Sequence, residues 1–220
     1  MNERENFVEL GAITIPASVL AAVEVEIGES MRVKQAFLRQ CSSSVAKIAV
    51  AIVERLQKGG KLLLFGNGGS AADAQHIAAE FVGRYQLDRQ AFPAIALTTD
   101  TSTLTAVAND YGYEEVFARQ VTALGSEDDV TIGLSTSGTS RNVLRGLVAA
   151  RARGILTVGF TGLSGKEVMS LSDLCLCVPS EVTARIQECH ILAGHIISGY
   201  CERVLGTSAM PYFNGRMSAR

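Results

Sequence analysis

The hydrophobic positions divide the chain into a helical first quarter and a longer region of short apolar runs. Over residues 16–56, apolar side chains recur every three or four positions, which predicts a helical segment interrupted near Gly28. The glycine pair that begins at Gly59 ends this segment. Residues 1–14 lack the helical rhythm, so we expect them to form a loose leader.

After the glycine pair, the rhythm changes to apolar runs of four to seven residues rich in branched side chains. Each run is followed by turn residues and then by a helical stretch. Strands buried on both faces have this composition, and their alternation with helices predicts βαβ units and a parallel sheet. The five runs cover residues 61–65, 94–97, 129–135, 154–160 and 173–178.

These patterns predict three parts: a leader with a helical extension over 1–58, an α/β domain over 59–205 and a tail over 206–220. A chain of 220 residues with 47% hydrophobic content has room for one well-buried domain. In open parallel sheets, ligands bind outside the carboxyl ends of the strands. The turns after the first three strands are therefore the places to search for a site.

Charge and composition narrow the functional classes. Twenty basic residues against 22 acidic ones give a net charge of −2, so nucleic-acid binding through phosphate neutralisation has no support. We find no run of about 18 apolar residues and no apolar signal segment, which favours a cytoplasmic protein without a membrane partner. The five cysteines form no C-x-x-C pair, so we expect reduced, mostly buried thiols.

The turn after the third predicted strand carries the strongest chemical signal. Residues 135–140 read Ser-Thr-Ser-Gly-Thr-Ser and precede a helix predicted over 141–153. The N–H groups and dipole of a helix N-terminus attract an anion, and hydroxyl groups add donors, so phosphate is the favoured ligand. An ordinary N-cap would need only one hydroxyl. The P-loop pattern G-x-x-x-x-G-K-[ST] is absent, so a nucleoside triphosphate is not implied.

A glycine-rich turn follows the first predicted strand. Residues 66–70 read Gly-Asn-Gly-Gly-Ser, and they do not form the dinucleotide pattern G-x-G-x-x-G. Glycines let a backbone approach a ligand, and Asn67 can both donate and accept hydrogen bonds. A tight strand-to-helix turn would also use glycine. Two such turns at two strand ends favour a shared site more strongly than either does alone.

Two pairs of polar side chains have helical spacing. His76 and Glu80 are four residues apart and share a helix face, and Gln187 and His195, eight residues apart, also share a side. From the residues alone, an exposed ion pair explains His76 and Glu80 as well as a catalytic pair does. His195 could equally be a hydrogen-bonded core histidine, and we expect His190 to be one.

Taken in order, these motifs resemble those of the phosphoheptose isomerases, enzymes of the sugar isomerase (SIS) fold. The likeness covers about residues 30–205. It implies a three-layer α/β sandwich, in which helices flank a five-stranded parallel sheet of flavodoxin-like order, with an N-terminal helical extension. The matching segments are Gly66–Ser70, Asp73–His76, Ala79–Tyr85, Pro93–Leu97, Asn109–Gly112, Ser135–Gly138 and Arg185–Glu188 with His195.

The resemblance implies a role for each matching residue. Glu80 matches the catalytic base, and His195 matches its acid/base partner. In metal-containing members, one zinc ion per subunit is bound by the residues that match His76, Glu80, Gln187 and His195. The substrate contacts match Asn67, Gly68, Gly69, Glu80, Asn109, Asp110, Ser135, Thr136, Ser137, Ser140 and Gln187, of which the four Ser and Thr residues hold the phosphate.

The implied activity is the isomerisation of D-sedoheptulose 7-phosphate to D-glycero-D-manno-heptose 7-phosphate, the first step towards nucleotide-activated heptoses such as those of lipopolysaccharide. Family members are homotetramers with active sites at subunit interfaces. The partners implied are a sugar phosphate and copies of the chain, with no nucleic acid or membrane. The chain departs from the family pattern at Thr139, where many members have Asn, and at Ala184, where some have an acidic residue.

Two alternatives remain at this point. One is a non-catalytic SIS-fold regulator resembling the DnaA initiator-associating protein, a group that lacks the carboxylate and histidine matching Glu80 and His195. The other is an enzyme for a different phosphosugar, such as a hexose-phosphate isomerase or an etherase of N-acetylmuramic acid 6-phosphate. The sequence leaves open the final product that receives the heptose, and whether Glu80 is a ligand or a base at a given moment.

Overall fold

The centre of the protein is a five-stranded parallel sheet, seen in a computed structural model that describes residues 7–10 and 13–206. The strand order is β4-β3-β5-β6-β7, which confirms the predicted flavodoxin-like arrangement. All four pairings within this sheet are parallel. The strands are β3 (Leu62–Gly66), β4 (Ala94–Ala96), β5 (Val130–Ser135), β6 (Leu156–Thr161) and β7 (Leu174–Cys177).

Helices cover both faces of the sheet and complete the predicted three layers. One core joins the sheet to α1, α2 and α7, and a second core joins its opposite face to α4, α5 and α6. The helices are α1 (Ala17–Gln57), α2 (Gly69–Val82), α3 (Thr101–Tyr111), α4 (Val116–Leu124), α5 (Arg141–Ala152), α6 (Lys166–Leu171) and α7 (Thr183–Leu205), with a short 3-10 turn at Tyr113–Glu115.

The strands are apolar at nearly every position because helices cover both faces of the sheet. In β3, Leu62 and Leu64 pack into the first core, whereas Leu63 and Phe65 pack into the second. Successive side chains of a strand point to opposite faces, so a strand covered on both sides needs apolar residues at every position. The short strands were therefore predictable from composition alone.

The predicted helix break near Gly28 is wrong, because α1 runs without interruption for 41 residues. A Cβ added at Gly28 would meet nothing within 4 Å, so no neighbouring element demands a bend there. One glycine in a helix costs only about 1 kcal/mol. The C-terminal half of α1 outweighs that cost, since nine of its residues between Val33 and Leu56 are buried.

Length and composition alone would also allow α1 to cross a membrane. This qualifies the prediction that the chain has no spanning helix, but the indication is weak, because a core helix of a soluble protein passes the same test. The residues of α1 that pack into the first core make this second explanation the simpler one.

The prediction of a loose leader is wrong for part of the N-terminus. Strands β1 (Phe7–Leu10) and β2 (Ile13–Pro16) pair in an antiparallel hairpin directly before α1. At the other end, Gly206 caps α7, and the rest of the predicted tail, 207–220, lies outside the described residues.

The five cysteines are free thiols, as the sequence predicts. Cys41, Cys189 and Cys201 are buried, and burial raises the pKa of the Cys201 thiol to about 12. Such thiols stay protonated at neutral pH and pack as small apolar groups.

Candidate active site

The two polar turns singled out in the sequence lie side by side. Strands β3 and β5 are neighbours, and Gly66 at the end of β3 pairs with Leu134 near the end of β5. The side-chain amides of Asn67 and Asn142 also bridge the turns, with two reciprocal hydrogen bonds of 2.8 Å. Asn142 is buried in the first turn of α5, so this bridge fixes the glycine turn against the helix that follows the Ser/Thr loop.

The loop of residues 135–140 has an inner and an outer set of hydroxyl groups. On the inner side, the hydroxyls of Ser135 and Ser140 lie 2.9 Å apart, and the backbone N–H of Gly138 donates to Ser135 Oγ at 3.1 Å. On the outer side, Ser137 and Thr139 are exposed, with their hydroxyls 3.1 Å apart. Ser137 Oγ also accepts from the backbone N–H of Thr139 at 3.3 Å, so both sets of hydroxyls help to shape the loop, and the outer set is open to solvent.

The N-terminus of α5 is not capped in the ordinary way. Ser140 occupies the N-cap position, but its side chain makes no capping hydrogen bond. An N-cap serine normally satisfies one of the free N–H groups of the first helical turn. The N–H of Val143 donates to the Asn142 side chain at 2.9 Å, whereas those of Arg141 and Asn142 have no partner among the described residues, which favours phosphate binding over a simple cap.

Glycine is required at two positions of the turn that follows β3. Gly68 has a φ of +55°, a left-handed conformation that residues with a Cβ rarely adopt. A Cβ on Gly69 would lie 2.4 Å from the side-chain nitrogen of Gln187. The absence of a side chain at Gly69 therefore lets the Gln187 amide of α7 reach the start of α2.

Helices α2 and α7 bring three titratable side chains together. His76 Nε2 lies 2.9 Å from His195 Nε2 and 3.3 Å from Glu80 Oε1. One potential ligand atom from each of the three residues lies within 4.8 Å of the other two. The glycine at 194 permits this close approach, because a Cβ there would lie 2.6 Å from the side chain of Ile77. His195 comes from a different helix, so the group is more than an i, i+4 ion pair.

This group of three residues fits a zinc ion. Two imidazole nitrogens 2.9 Å apart must either share a proton or direct two lone pairs at a cation. Two imidazole nitrogens and a carboxylate oxygen form a donor set that zinc commonly takes in proteins. The fourth predicted ligand, Gln187, lies two turns before His195 on α7, against Gly69.

Asp73 is a neighbour of this group that the sequence motifs did not indicate as a site residue. Burial raises the pKa of the Asp73 carboxyl to about 6, while the nearby His76 ring acts in the opposite direction. Its Oδ2 is buried and has no hydrogen-bond partner among the described residues. Asp73 stands three residues before His76 on α2, so helical spacing was the signal that could have indicated it.

Asn109 and Asp110 are the two predicted substrate contacts that lie on α3. They are exposed near the end of α3, where the Asn109 amide donates to the Asp110 carboxylate at 2.8 Å. Within residues 7–10 and 13–206, no hydrogen bond joins them to either polar turn. Tyr113, which the sequence did not indicate, does reach the site, because its hydroxyl donates to Asn67 Oδ1 at 3.2 Å.

Comparison with known proteins matches the chain to one protein family. The family model described as "SIS domain" matches residues 27–162. The phosphoheptose isomerase of Roseiflexus sp. (strain RS-1) is 57% identical over 180 residues, covering 82% of this chain and 91% of the relative.

Two solved structures are similar to this chain in both fold and sequence. The phosphoheptose isomerase structure from Neisseria gonorrhoeae has a TM-score of 0.80 and 41% identity, covering 84% of this chain and 99% of that one. The structure from Francisella tularensis has a TM-score of 0.82 and 36% identity, covering 84% and 98%.

The fold and the two turns at the strand ends thus place the chain in one class, the SIS-domain proteins. The relatives identify the family within that class. The chain belongs to the phosphoheptose isomerases of the SIS-domain family. It is an isomerase, and the alternative of a non-catalytic SIS-fold regulator is not favoured.

Proposed function

We propose that this chain converts D-sedoheptulose 7-phosphate to D-glycero-D-manno-heptose 7-phosphate, as the first step in the synthesis of activated heptoses. The proposal rests on one observation: Glu80, His76 and His195 come together between α2 and α7, the two helices that also flank the glycine turn. The names of the relatives support the choice of a heptose phosphate over other sugar phosphates.

The substrate phosphate binds at the N-terminus of α5. Hydroxyls of Ser135, Thr136, Ser137 and Ser140 and the N–H groups of Arg141 and Asn142 at the start of the helix supply its donors. The reacting carbons, C1 and C2, lie at the opposite end of the seven-carbon chain from the phosphate. The site must therefore anchor one end of the substrate at the Ser/Thr loop and perform chemistry at the other end.

Glu80 is the base of the proposed reaction. Its carboxylate removes a proton from C1 of the ketose and returns it to C2, through an enediol. The Glu80 side chain is only 17% exposed, so the carboxylate is largely shielded from water. His195 transfers the proton between the two substrate oxygens, since an imidazole can donate from one nitrogen and accept at the other.

A zinc ion is the proposed cofactor, held by His76, Glu80, Gln187 and His195. When bound, zinc would supply positive charge that stabilises the negative charge developing on the substrate oxygens. A glutamate that binds zinc is a weaker base, so Glu80 either alternates between the two roles or binds a metal of structural importance. Elemental analysis should find about one zinc per chain and none in the His195→Ala variant. An active, zinc-free wild type would exclude the metal.

The same proposal includes a homotetramer in the cytoplasm, as the family resemblance implies. An apolar groove of about 460 Å³ between α1 and α7 supports the association of several chains. Leu38 and Ile196 line the groove and are exposed, and surfaces of this kind are usually covered by another chain. Light scattering of the purified protein should give the mass of four chains, and a monomer would contradict this part.

The test of the catalytic proposal is turnover of sedoheptulose 7-phosphate by the wild type and the Glu80→Gln variant. Glutamine keeps the size and polarity of the side chain but cannot take up the C1 proton. We expect the variant to bind substrate and to have no measurable turnover. Full activity of Glu80→Gln would exclude Glu80 as the base.

A further inference from the structure

A buried ion pair lies beside the active site and takes no part in the proposed chemistry. Arg89 and Glu202 are each 1% exposed, and Arg89 Nη2 lies 3.2 Å from Glu202 Oε1. Glu202, on α7, also accepts hydrogen bonds from the backbone N–H groups of Tyr85, Gln86 and Leu87, at 2.6, 2.8 and 3.0 Å. One carboxylate thus fixes three consecutive residues of the segment that follows α2.

Arg89 fixes the end of α2 from the other side. Its guanidinium donates to the backbone carbonyl of Glu80 at 2.7 Å, and to those of Phe81 and Gly83 at 2.8 and 3.0 Å. The last carbonyls of a helix have no partner within the helix, and a cation there complements the helix dipole. The ion pair therefore joins the turn of α2 that carries Glu80 to the helix that carries His195.

The segment held in this way places an aromatic ring on His195. The Tyr85 ring stacks on the imidazole, with centroids 5.4 Å apart and planes inclined by 17°. The His76 ring meets the same imidazole edge-on, at 5.1 Å and 71°. His195 is thus bounded by one ring face and one ring edge.

Gly199 provides the space for the Tyr85 ring. It lies one turn after His195 on α7, and a Cβ there would lie 3.2 Å from Cε1 and 3.3 Å from Cδ1 of Tyr85. These distances are tighter than ordinary van der Waals contact, so an alanine would push the ring by a few tenths of an ångström. The ring therefore depends on a glycine at this position.

We propose that Tyr85 is a positioning residue for His195, and that the Arg89–Glu202 pair holds Tyr85 in place. The χ2 torsion of a histidine is broad, so the imidazole needs neighbours to define its plane. Misplacement of a catalytic group by about 1 Å can cost on the order of 100-fold in rate. The inference rests on the proposed function, which assigns proton transfer to His195.

The first test compares Tyr85→Leu with Tyr85→Phe. Leucine removes the aromatic face, so kcat should fall by roughly 10- to 100-fold while KM changes much less, because the phosphate loop is untouched. Phenylalanine keeps the face and should retain kcat within about twofold of the wild type. A wild-type kcat in Tyr85→Leu, or an equal loss in both variants, overturns the proposal.

The second test uses Gly199→Ala, with Gly28→Ala as its matched control. Alanine favours a helix over glycine by about 1 kcal/mol, which offsets the cost of displacing the ring, so thermal stability should change little in Gly199→Ala and should not fall in Gly28→Ala. Gly199→Ala should nevertheless lower kcat several-fold, whereas Gly28→Ala, which meets nothing within 4 Å, should leave kcat unchanged. A wild-type kcat in Gly199→Ala would count against positioning. A purely structural role of Gly199 would lower thermal stability and kcat together, whereas a positioning role lowers kcat alone.

A readout without turnover separates this inference from the proposed function. In histidine-labelled protein, the ring protons of His195 feel the ring current of Tyr85, so their NMR shifts should change in Tyr85→Leu and stay near the wild type in Tyr85→Phe. An inactive wild type would overturn the proposed function, but the shifts would still report the stacking. Unchanged His195 shifts in Tyr85→Leu overturn the positioning role.

Discussion

Ser137 is the residue whose substitution best separates binding from chemistry. Its hydroxyl lies on the exposed outer side of the phosphate loop, where its hydrogen bonds are to Thr139, and it takes no part in the inner contact between Ser135 and Ser140. A hydrogen bond to a charged group contributes about 1.5–3 kcal/mol, so Ser137→Ala should raise KM by roughly 10- to 100-fold with little change in kcat. Steady-state kinetics with Ser170→Ala, an exposed serine of α6, as control would check this. An unchanged KM would argue against the phosphate loop.

At the residue scale, local motifs were predictable and distant partnerships were not. The Ser-Thr-Ser-Gly run indicated an anion site because all its donors are adjacent in sequence. The spacing of His76 and Glu80 left two explanations open, because the third member, His195, is 119 residues from His76. Only the family resemblance indicated their association. No resemblance or spacing indicated that Arg89 pairs with Glu202.

At the element scale, the strands followed from composition, but the N-terminal elements did not. A glycine in a helical pattern indicates a break by local propensity, and the packing of α1 overrides it at Gly28. The hairpin of β1 and β2 was also missed. The sequence does carry a signal for it, since two short apolar runs flank Gly11-Ala12, and a two-residue connection with glycine is typical of hairpins.

Helix α7 contributes a pH-dependent part of the stability through His190. The ring is fully buried, with Nε2 3.4 Å from the Thr161 carbonyl oxygen, and burial lowers the pKa of His190 from 6.5 to about 4. Below pH 6.5 the unfolded chain therefore binds more protons than the folded one. The His190 contribution to the free energy of unfolding should fall by up to roughly 3 kcal/mol as the pH drops from 6.5 to 4, and this contribution is fully present above pH 6.5.

The His190→Gln variant isolates this contribution. Asp73 titrates with the opposite sign over part of the same range, because its pKa is raised to about 6. The informative quantity is thus the difference between wild type and variant in denaturant unfolding at several pH values. A flatter pH profile in His190→Gln is expected, and an identical slope in both proteins would contradict the prediction.

At the scale of the whole molecule, the parallel sheet explains why the two polar turns lie side by side. Adjacent parallel strands end at the same edge, so β3 and β5 place the glycine turn beside the phosphate loop. Helices α2 and α7 then pack against the same face of the sheet and bring Glu80 and His195 together, with Gly69 at the start of α2 beside the glycine turn and Glu80 in its last turn. The fold class and the edge were predictable from the alternation of strands and helices. The packing of α2 on α7 required the structure.

The most direct measurement is the conversion of sedoheptulose 7-phosphate, followed by NMR, by the wild type and by Glu80→Gln at equal concentration. The wild type should produce D-glycero-D-manno-heptose 7-phosphate until equilibrium is reached. The variant should bind the substrate, as seen by calorimetry, and produce none. A wild type that leaves the substrate unchanged, with and without added zinc, would contradict the proposed isomerase, and an active Glu80→Gln variant would contradict its mechanism.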